Sequence, residues 1–251
     1  MTPATSKESA KLLKLADELS RQLEDLSFGA PVTHVYNPFQ YARPMVKDYY
    51  RKYGDGKGRV LLLGMNPGPW GMAQTGVPFG EVALVRDWLK IAGKISQPED
   101  MHPARPVMGL ECHRSEVSGA RLWGWAKERF ATPEKFFERF FVVNYCPLLF
   151  LAAKEKSVAN VTPDRLRKEE RDAVLAACDW HLAEKLDVLR PSQCLGVGAF
   201  AQKCLKRVSK EHDLELDVAS ILHPSPASPI ANRGWAPQAE KQLRDLGIKL
   251  P

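Results

Sequence analysis

Three polar residues stand where three short apolar runs stop: Asn66 in G-M-N-P-G, Asn144 in V-N-Y-C-P-L and His223 in L-H-P-S-P. A carboxamide offers a donor and an acceptor side by side, and an imidazole offers one or two N–H donors according to its protonation. None of the three is a strong base. What they do well is read the edge of a flat polar ring and hold charge that develops on it. Singly, each has a plainer reading: an Asn at a strand end commonly bonds its own backbone in a turn, and a His before Pro is commonly a satisfied structural residue. The conjunction of three at equivalent positions argues for a site, and Phe79 adds a ring face on which a heterocycle can stack. Together they outline a nucleobase pocket.

The loop from Leu61 to Gly80 is the part of the chain built to hold such a ring. Gly64, Gly68 and Gly71 let a ligand approach the backbone, while Pro67 and Pro69 fix φ, so the segment specifies one rigid path. A tight strand-to-helix connection is the simpler reading of a Gly/Pro loop. This one is longer and more aromatic than a connection needs.

The elements that must carry these residues are four strand-length runs, Val60 to Gly64, Phe140 to Asn144, Gln193 to Gly198 and Leu216 to His223, separated by helix-like patterns. Those patterns cover Val82 to Ala92, Leu122 to Phe130, Glu169 to Leu189 and Phe200 to Lys210. Strands alternating with helices predict an α/β fold with an open, mostly parallel sheet, whose ligands bind beyond the carboxyl ends of the strands. The third run ends in Gly196-Val197-Gly198, and the backbone N–H groups there are expected to be free for an anion at the following helix. Leucines 12, 15, 19 and 26 among alternating charges predict an amphipathic N-terminal helix, set apart as an extension over residues 1–29 from a catalytic domain over 30–251. Residues 28–58, rich in Pro and Tyr, read as irregular lead-in, and the proline-punctuated stretch from Gly93 to Gly119 reads as a functional loop.

Composition narrows the classes. With 44% hydrophobic and 26% charged residues the chain is an ordinary globule, and a net charge of +6 favours an anionic partner. Five cysteines with no C-x-x-C pair oppose both a disulfide framework and a zinc site, so no metal and no cofactor are expected, in a reducing compartment. No run approaches the roughly 18 apolar residues that span a bilayer, so no membrane partner is expected. A zinc deaminase signature, a phosphate-binding P-loop and a G-x-S-x-G elbow are all missing from the sequence. The pocket motifs read as free of Asp and Glu. A reaction that needs little base help is one whose leaving group departs early, and cleavage of a nucleotide's glycosidic bond fits.

The residues also resemble a known family. G-M-N-P-G-P-W-G-M-A-Q-T-G-V-P-F-G, R-P-V-M-G-L-E-C, S-E-V-S-G-A-R-L-W-G, V-N-Y-C-P-L-L-F-L-A and H-P-S-P-A-S-P-I-A-N-R-G-W, in that order, are similar to the single-strand-selective monofunctional uracil-DNA glycosylases of the uracil-DNA glycosylase superfamily. The resemblance runs from about residue 30 to residue 248 and implies a central four-stranded parallel sheet between helices. It implies that Asn66 orients the attacking water beside the Met65 backbone, Asn144 reads uracil, His223 stabilises the departing base and Phe79 stacks on it. Gly68 stands where classical uracil glycosylases carry a Tyr that blocks C5, which implies acceptance of 5-hydroxymethyluracil.

The stretch Pro224 to Arg233 resembles the family's DNA-intercalating wedge, which implies DNA contacts from Pro224, Ser225, Pro226, Ala227, Ser228, Ile230 and Arg233. Relatives often carry an Arg-Asn pair where this chain has Ala227 and Ser228, which lowers the expected penetration of duplex. Trp70 replaces a Phe and is expected to pack under the loop. Ser115, Arg105 and Arg121 are candidates for phosphate contact. The expectation is therefore a monomeric, monofunctional enzyme acting on uracil-containing DNA and leaving an abasic product, in the nucleoid-associated cytoplasm of a bacterium or the nucleus of a eukaryote. The alternatives are a damaged-base or abasic-site binding module without catalysis, and a glycosylase preferring hypoxanthine or xanthine.

Overall fold

The computed structural model describes residues 6–154 and 157–251. In chain order the elements are α1 (Lys7–Glu24), β1 (Val32–Tyr36), α2 (Pro38–Tyr41), α3 (Arg43–Tyr53), β2 (Val60–Gly64), α4 (Met72–Thr75), α5 (Val82–Asp87), α6 (Val117–Phe130) and α7 (Pro133–Phe137). There follow β3 (Phe140–Asn144), β4 (Leu149–Lys154), β5 (Ser157–Val161), α8 (Lys168–Leu189), β6 (Gln193–Val197), α9 (Ala199–Glu211), β7 (Val218–Ile221), α10 (Pro229–Asn232) and α11 (Trp235–Asp245).

The central sheet has four parallel strands, as the apolar runs predict, and their order is β3-β2-β6-β7. Parallel strands are covered on both faces, so each reads as an unbroken apolar run: all five residues of β3 are buried. Helix α9 lies against β2, β6 and β7, α11 against β7 and α6, and α7 against β3. Helix α1 buries Leu12, Ala16, Leu19 and Leu23 against α3 and α8, so its apolar stripe is continuous with the core.

The stretch read as irregular lead-in is ordered. It supplies β1, α2 and α3, and Val46, Tyr49, Tyr50 and Tyr53 put one buried face of α3 on the core at helical spacing. Tyr49 stacks on Phe141 at 5.6 Å and donates to the Val142 carbonyl at 2.8 Å, fastening α3 to β3. A second, antiparallel sheet of order β1-β4-β5, absent from the sequence reading, lies beyond the end of β3. Helix α5 ends at Asp87 rather than at Ala92, so the loop begins earlier than expected and extends to Glu116, with turns at His102–Arg105 and Gly109–Glu111.

Candidate active site

In-register pairing of β2 with β3 sets Gly64 opposite Asn144. The ladder continues past both strands, because Tyr145 N–H donates to the Gly64 carbonyl at 3.0 Å and Cys146 N–H to the Met65 carbonyl at 2.9 Å. The two Asn-bearing turns are thus locked to each other. Tyr145 anchors the β3 exit further by donating to Asp179 on α8 at 2.7 Å, a carboxylate also gripped by Arg207.

Asn66, Asn144, His223, Phe79, Met65 and Gly68 line one cavity of about 240 Å³, together with Ser225 and Pro226 from the stretch after His223. The Asn66 amide donates from Nδ2 to the Leu148 carbonyl at 3.2 Å and to Asn160 Oδ1 at 3.5 Å, while Asn160 in turn donates to the Pro67 carbonyl at 3.0 Å. Both Asn66 bonds use its N–H groups, so among the described residues the Oδ1 lone pairs are unspent. Asn144 is buried, its Nδ2 touches only the Met72 sulfur, at 3.2 Å, and its Oδ1 has no partner. A buried carbonyl oxygen without a donor is costly, which makes this amide a candidate ligand-reading group.

Phe79 has φ of 53°, a left-handed conformation that a bulky residue rarely adopts. The surroundings impose it: Trp123 Nε1 donates to the Pro78 carbonyl and Glu81 N–H to the Phe79 carbonyl. A Cβ on Gly119 would come within 2.0 Å of that same carbonyl, so α6 closes on the loop only because residue 119 is glycine. Backbone strain held in place by its neighbours makes Phe79 a candidate site residue.

His223 follows β7, with its ring centroid 6.0 Å from that of Phe79. Burial lowers its pKa to about 4, so the imidazole is neutral at pH 7. The Gly196-Val197-Gly198 turn is not an open anion site. Gly198 N–H is spent on the Ile221 carbonyl at 2.9 Å, and Gly198, at φ 92°, clears space for His223, whose Cβ would lie 3.1 Å from a Cβ there.

A carboxylate also reaches the cavity, contrary to the reading that its motifs hold none. Glu116 lines it and caps α6, accepting from Ser118 N–H at 3.2 Å and Gly119 N–H at 2.6 Å; burial raises its pKa above the usual carboxylate range. Pro69, Met72, Ser118, Asn160 and Thr162 complete the lining. Of these, Pro69 and Met72 lie in the glycine-proline loop, Pro69 directly after Gly68, and Ser118 lies in S-E-V-S-G-A-R-L-W-G; Asn160 belongs to the unforeseen second sheet. No lysine lines the cavity among the described residues, and no cluster of three or more His, Cys, Asp or Glu suited to a metal occurs among them.

Beyond His223 the chain turns through Pro224, Ser225, Pro226 and Ala227 into α10, where Ser228 caps the helix and Ile230 is 54% exposed. Arg121 is half-buried and its donors are already engaged within the protein. Its guanidinium donates to the Pro224 and Ser225 carbonyls and to Asn232 Oδ1, bracing this turn from beneath. Arg105 is engaged with the Ala104 and Val158 carbonyls. Ser115 and Arg233 are exposed. Trp70 does not pack under the loop; it is half-buried, with the Arg114 and Arg105 guanidinium carbons 4.4 and 5.5 Å from its ring centre.

The model of the uracil DNA glycosylase superfamily matches residues 51–245. Over 248 residues the chain is 44% identical to the single-strand selective monofunctional uracil-DNA glycosylase of Rattus norvegicus, covering 99% of this chain and 88% of that one, so the alignment takes in α1 as well. It is 47% identical over 236 residues to the corresponding protein of Bos taurus, covering 94% and 84% of the two chains. The crystal structure of Pedobacter heparinus SMUG2 superposes with a TM-score of 0.67 at 21% identity, over 93% of this chain and 97% of that one, which shows a shared fold. The chain therefore belongs to the uracil-DNA glycosylase superfamily and, within it, to the single-strand selective monofunctional uracil-DNA glycosylases.

Proposed function

We propose that this uracil-DNA glycosylase hydrolyses the N-glycosidic bond of uracil, and of uracil bearing a small C5 group such as 5-hydroxymethyluracil, in single- and double-stranded DNA, leaving an abasic site and opening base excision repair. The observation that carries the base assignment is the orphaned Oδ1 of Asn144. Uracil N3–H supplies the missing donor, and the amide N–H turns from the Met72 sulfur to the base O4. Cytosine presents an unprotonated N3 to the same oxygen and is refused.

With the base stacked on Phe79, the neutral His223 donates to O2 as negative charge develops there, and Asn66 Oδ1 accepts from a water directed at the sugar carbon. The bond to the base breaks early, so the water meets an oxocarbenium-like sugar and needs little basic help. A cavity lining without a lysine supports water as the nucleophile. The enzyme works as a monomer, where the genome is: the nucleoid of a bacterium or the nucleus of a eukaryote.

Incubation of a uracil-containing oligonucleotide with the protein, followed by alkali, should give strand scission at uracil. A gel shift without scission would reduce the protein to a binding module, and borohydride trapping of a covalent adduct would contradict the monofunctional reading. A panel with hypoxanthine and xanthine would expose a purine preference.

A further inference from the structure

Among the described residues Glu116 is the one carboxylate lining the cavity, and its placement relates it to Gly68. The nearest neighbours of a methyl group built on Gly68 would be Glu116 Cγ and Oε1 at 3.6 Å and Cδ at 3.7 Å, all of one side chain. The room left by the missing side chain is therefore faced by this carboxyl. The side chain lies against the bare backbone of Gly71, where a Cβ would approach Glu116 Cγ to 2.9 Å.

The two oxygens are not equally engaged. Oε2 takes a short bond from Gly119 N–H at 2.6 Å, whereas Oε1 takes a longer one from Ser118 N–H at 3.2 Å. A carboxylate oxygen accepts more than one bond, so Oε1, the oxygen nearest the Gly68 space, keeps acceptor capacity. The burial that raises the carboxyl pKa means that few water molecules compensate its charge, and a donor arriving in that space is correspondingly welcome.

We propose that Glu116 reads the substituent on C5 of the base: Oε1 accepts a hydrogen bond from a hydroxyl carried one carbon out from the ring and repels an anionic group at the same place. This rests on the reading of the Gly68 space as the C5 room. It makes Glu116 a specificity-determining residue in contact with substrate, beyond its capping of α6. Among C5 groups of similar size, the carboxylate favours one that donates over methyl, which offers no donor, and opposes carboxyl most strongly.

The test is single-turnover cleavage of oligonucleotides carrying uracil, 5-hydroxymethyluracil or 5-carboxyuracil, by the native protein and three variants. Glu116→Gln should lower the ratio of 5-hydroxymethyluracil to uracil cleavage about tenfold, the size of one hydrogen bond to a charged group, and should raise cleavage of 5-carboxyuracil. Glu116→Asp keeps a strong helix cap but draws the carboxylate back by a methylene, and should lower the same ratio with thermal stability held. Equal losses on both bases, or an unchanged ratio, would overturn the proposal and leave Glu116 a cap.

Gly68→Ala separates this from the reading beneath it. The added methyl meets only ordinary contacts in the free protein, yet occupies the proposed room, so it should depress 5-hydroxymethyluracil cleavage far more than uracil cleavage. If it depresses both alike, the C5 room is misplaced and the role of Glu116 falls with it. If it is selective while Glu116→Gln leaves the ratio unchanged, the room stands and only the role of Glu116 is wrong.

Discussion

A Cβ on Gly64 would lie 2.3 Å from Asn144 Oδ1, closer than any real contact of that kind, and 2.6 Å from Phe79 Cε2. The amide and the ring meet over a strand residue that has no side chain. The pocket thus exists because one position of β2 is glycine, at the point where β2 and β3 pair in register.

Gly64→Ala should therefore keep the sheet but push the Asn144 amide or the Phe79 ring off its place. A displacement near 1 Å at a positioning group costs on the order of a hundredfold in rate. Single-turnover cleavage of a uracil oligonucleotide should fall by about that factor, with affinity for abasic DNA much less changed. Native rates in this variant would show that neither side chain needs its observed position.

The pH dependence follows from the burial of His223. Its pKa is lowered to about 4, so the neutral imidazole persists as pH falls through 6.5 and is lost only near pH 4. The acid limb of the cleavage rate should lie there, and a limb near 6.5 would show that His223 titrates as a solvated imidazole. His223→Ala and Asn66→Ala should each cut cleavage by about a hundredfold or more, as expected for removing one preorganised group, while uracil-DNA binding stays within a few-fold. Native turnover in either would refute its assigned role.

Much of this arrangement is legible in the sequence, for a physical reason. Parallel strands are apolar on both faces, so Val60 to Gly64 and Phe140 to Asn144 announce themselves, and polar residues at their ends fall on the ligand-binding edge. The second sheet does not. Its strand Val32–Tyr36 alternates weakly within proline-rich text, and Ser157–Val161 is only partly buried, so neither carries a clear pattern. Glu116 is not legible as a site residue, because it meets the Gly68 space only through tertiary folding, which places the start of α6 against the glycine loop. Arg121 shows the reverse error: a basic residue near the site invites a phosphate, but nearby backbone carbonyls already take its donors.

Lys185 offers a test of the core away from the site. It is 1% exposed on α8, with its ammonium 5.9 Å from the centre of the Tyr50 ring, and burial lowers its pKa to about 7. An unfolded chain holds this proton up to about pH 10.5. Between pH 7 and 10.5 the unfolded state therefore binds more protons, and stability rises with pH. Lys185→Met should raise stability at pH 7, by roughly 3 kcal/mol as an order of magnitude, and flatten that rise. Denaturant melts at pH 7 and 10 would reveal it, and an unaltered slope between them would place the source elsewhere.

The turn after His223 is braced by Arg121 but presents a short residue, Ala227, at its exposed tip. Holding open the gap left by a flipped base requires recovering a few kcal/mol of stacking. Ala227→Arg should tighten binding to abasic duplex and slow product release, with little effect on a single strand. Unchanged affinity for the abasic duplex would remove this turn from the list of groups that enter the helix. Arg121→Ala, which releases the brace, should raise KM for duplex more than for single strands.

Arg114, like Arg233, is an exposed arginine available to a phosphate. Arg105 has spent donors on backbone carbonyls, but among the described residues the Arg114 side chain has neither an acidic partner nor a hydrogen bond, and its guanidinium lies 4.4 Å from the centre of the Trp70 ring. That contact holds the long side chain in place, which reduces the entropy lost on gripping a phosphate. Trp70 directly follows Pro69, a residue of the cavity wall, so the grip would fall on the strand beside the extruded nucleotide. Arg114→Ala should weaken single-strand binding regardless of sequence and reduce the slope of log affinity against log salt by about 0.7, the value for one phosphate contact on a single strand. Trp70→Ala should weaken binding with the slope nearly kept, because the charge remains while its support is lost. A full salt slope in Arg114→Ala would mean that the cation serves the Trp70 ring alone.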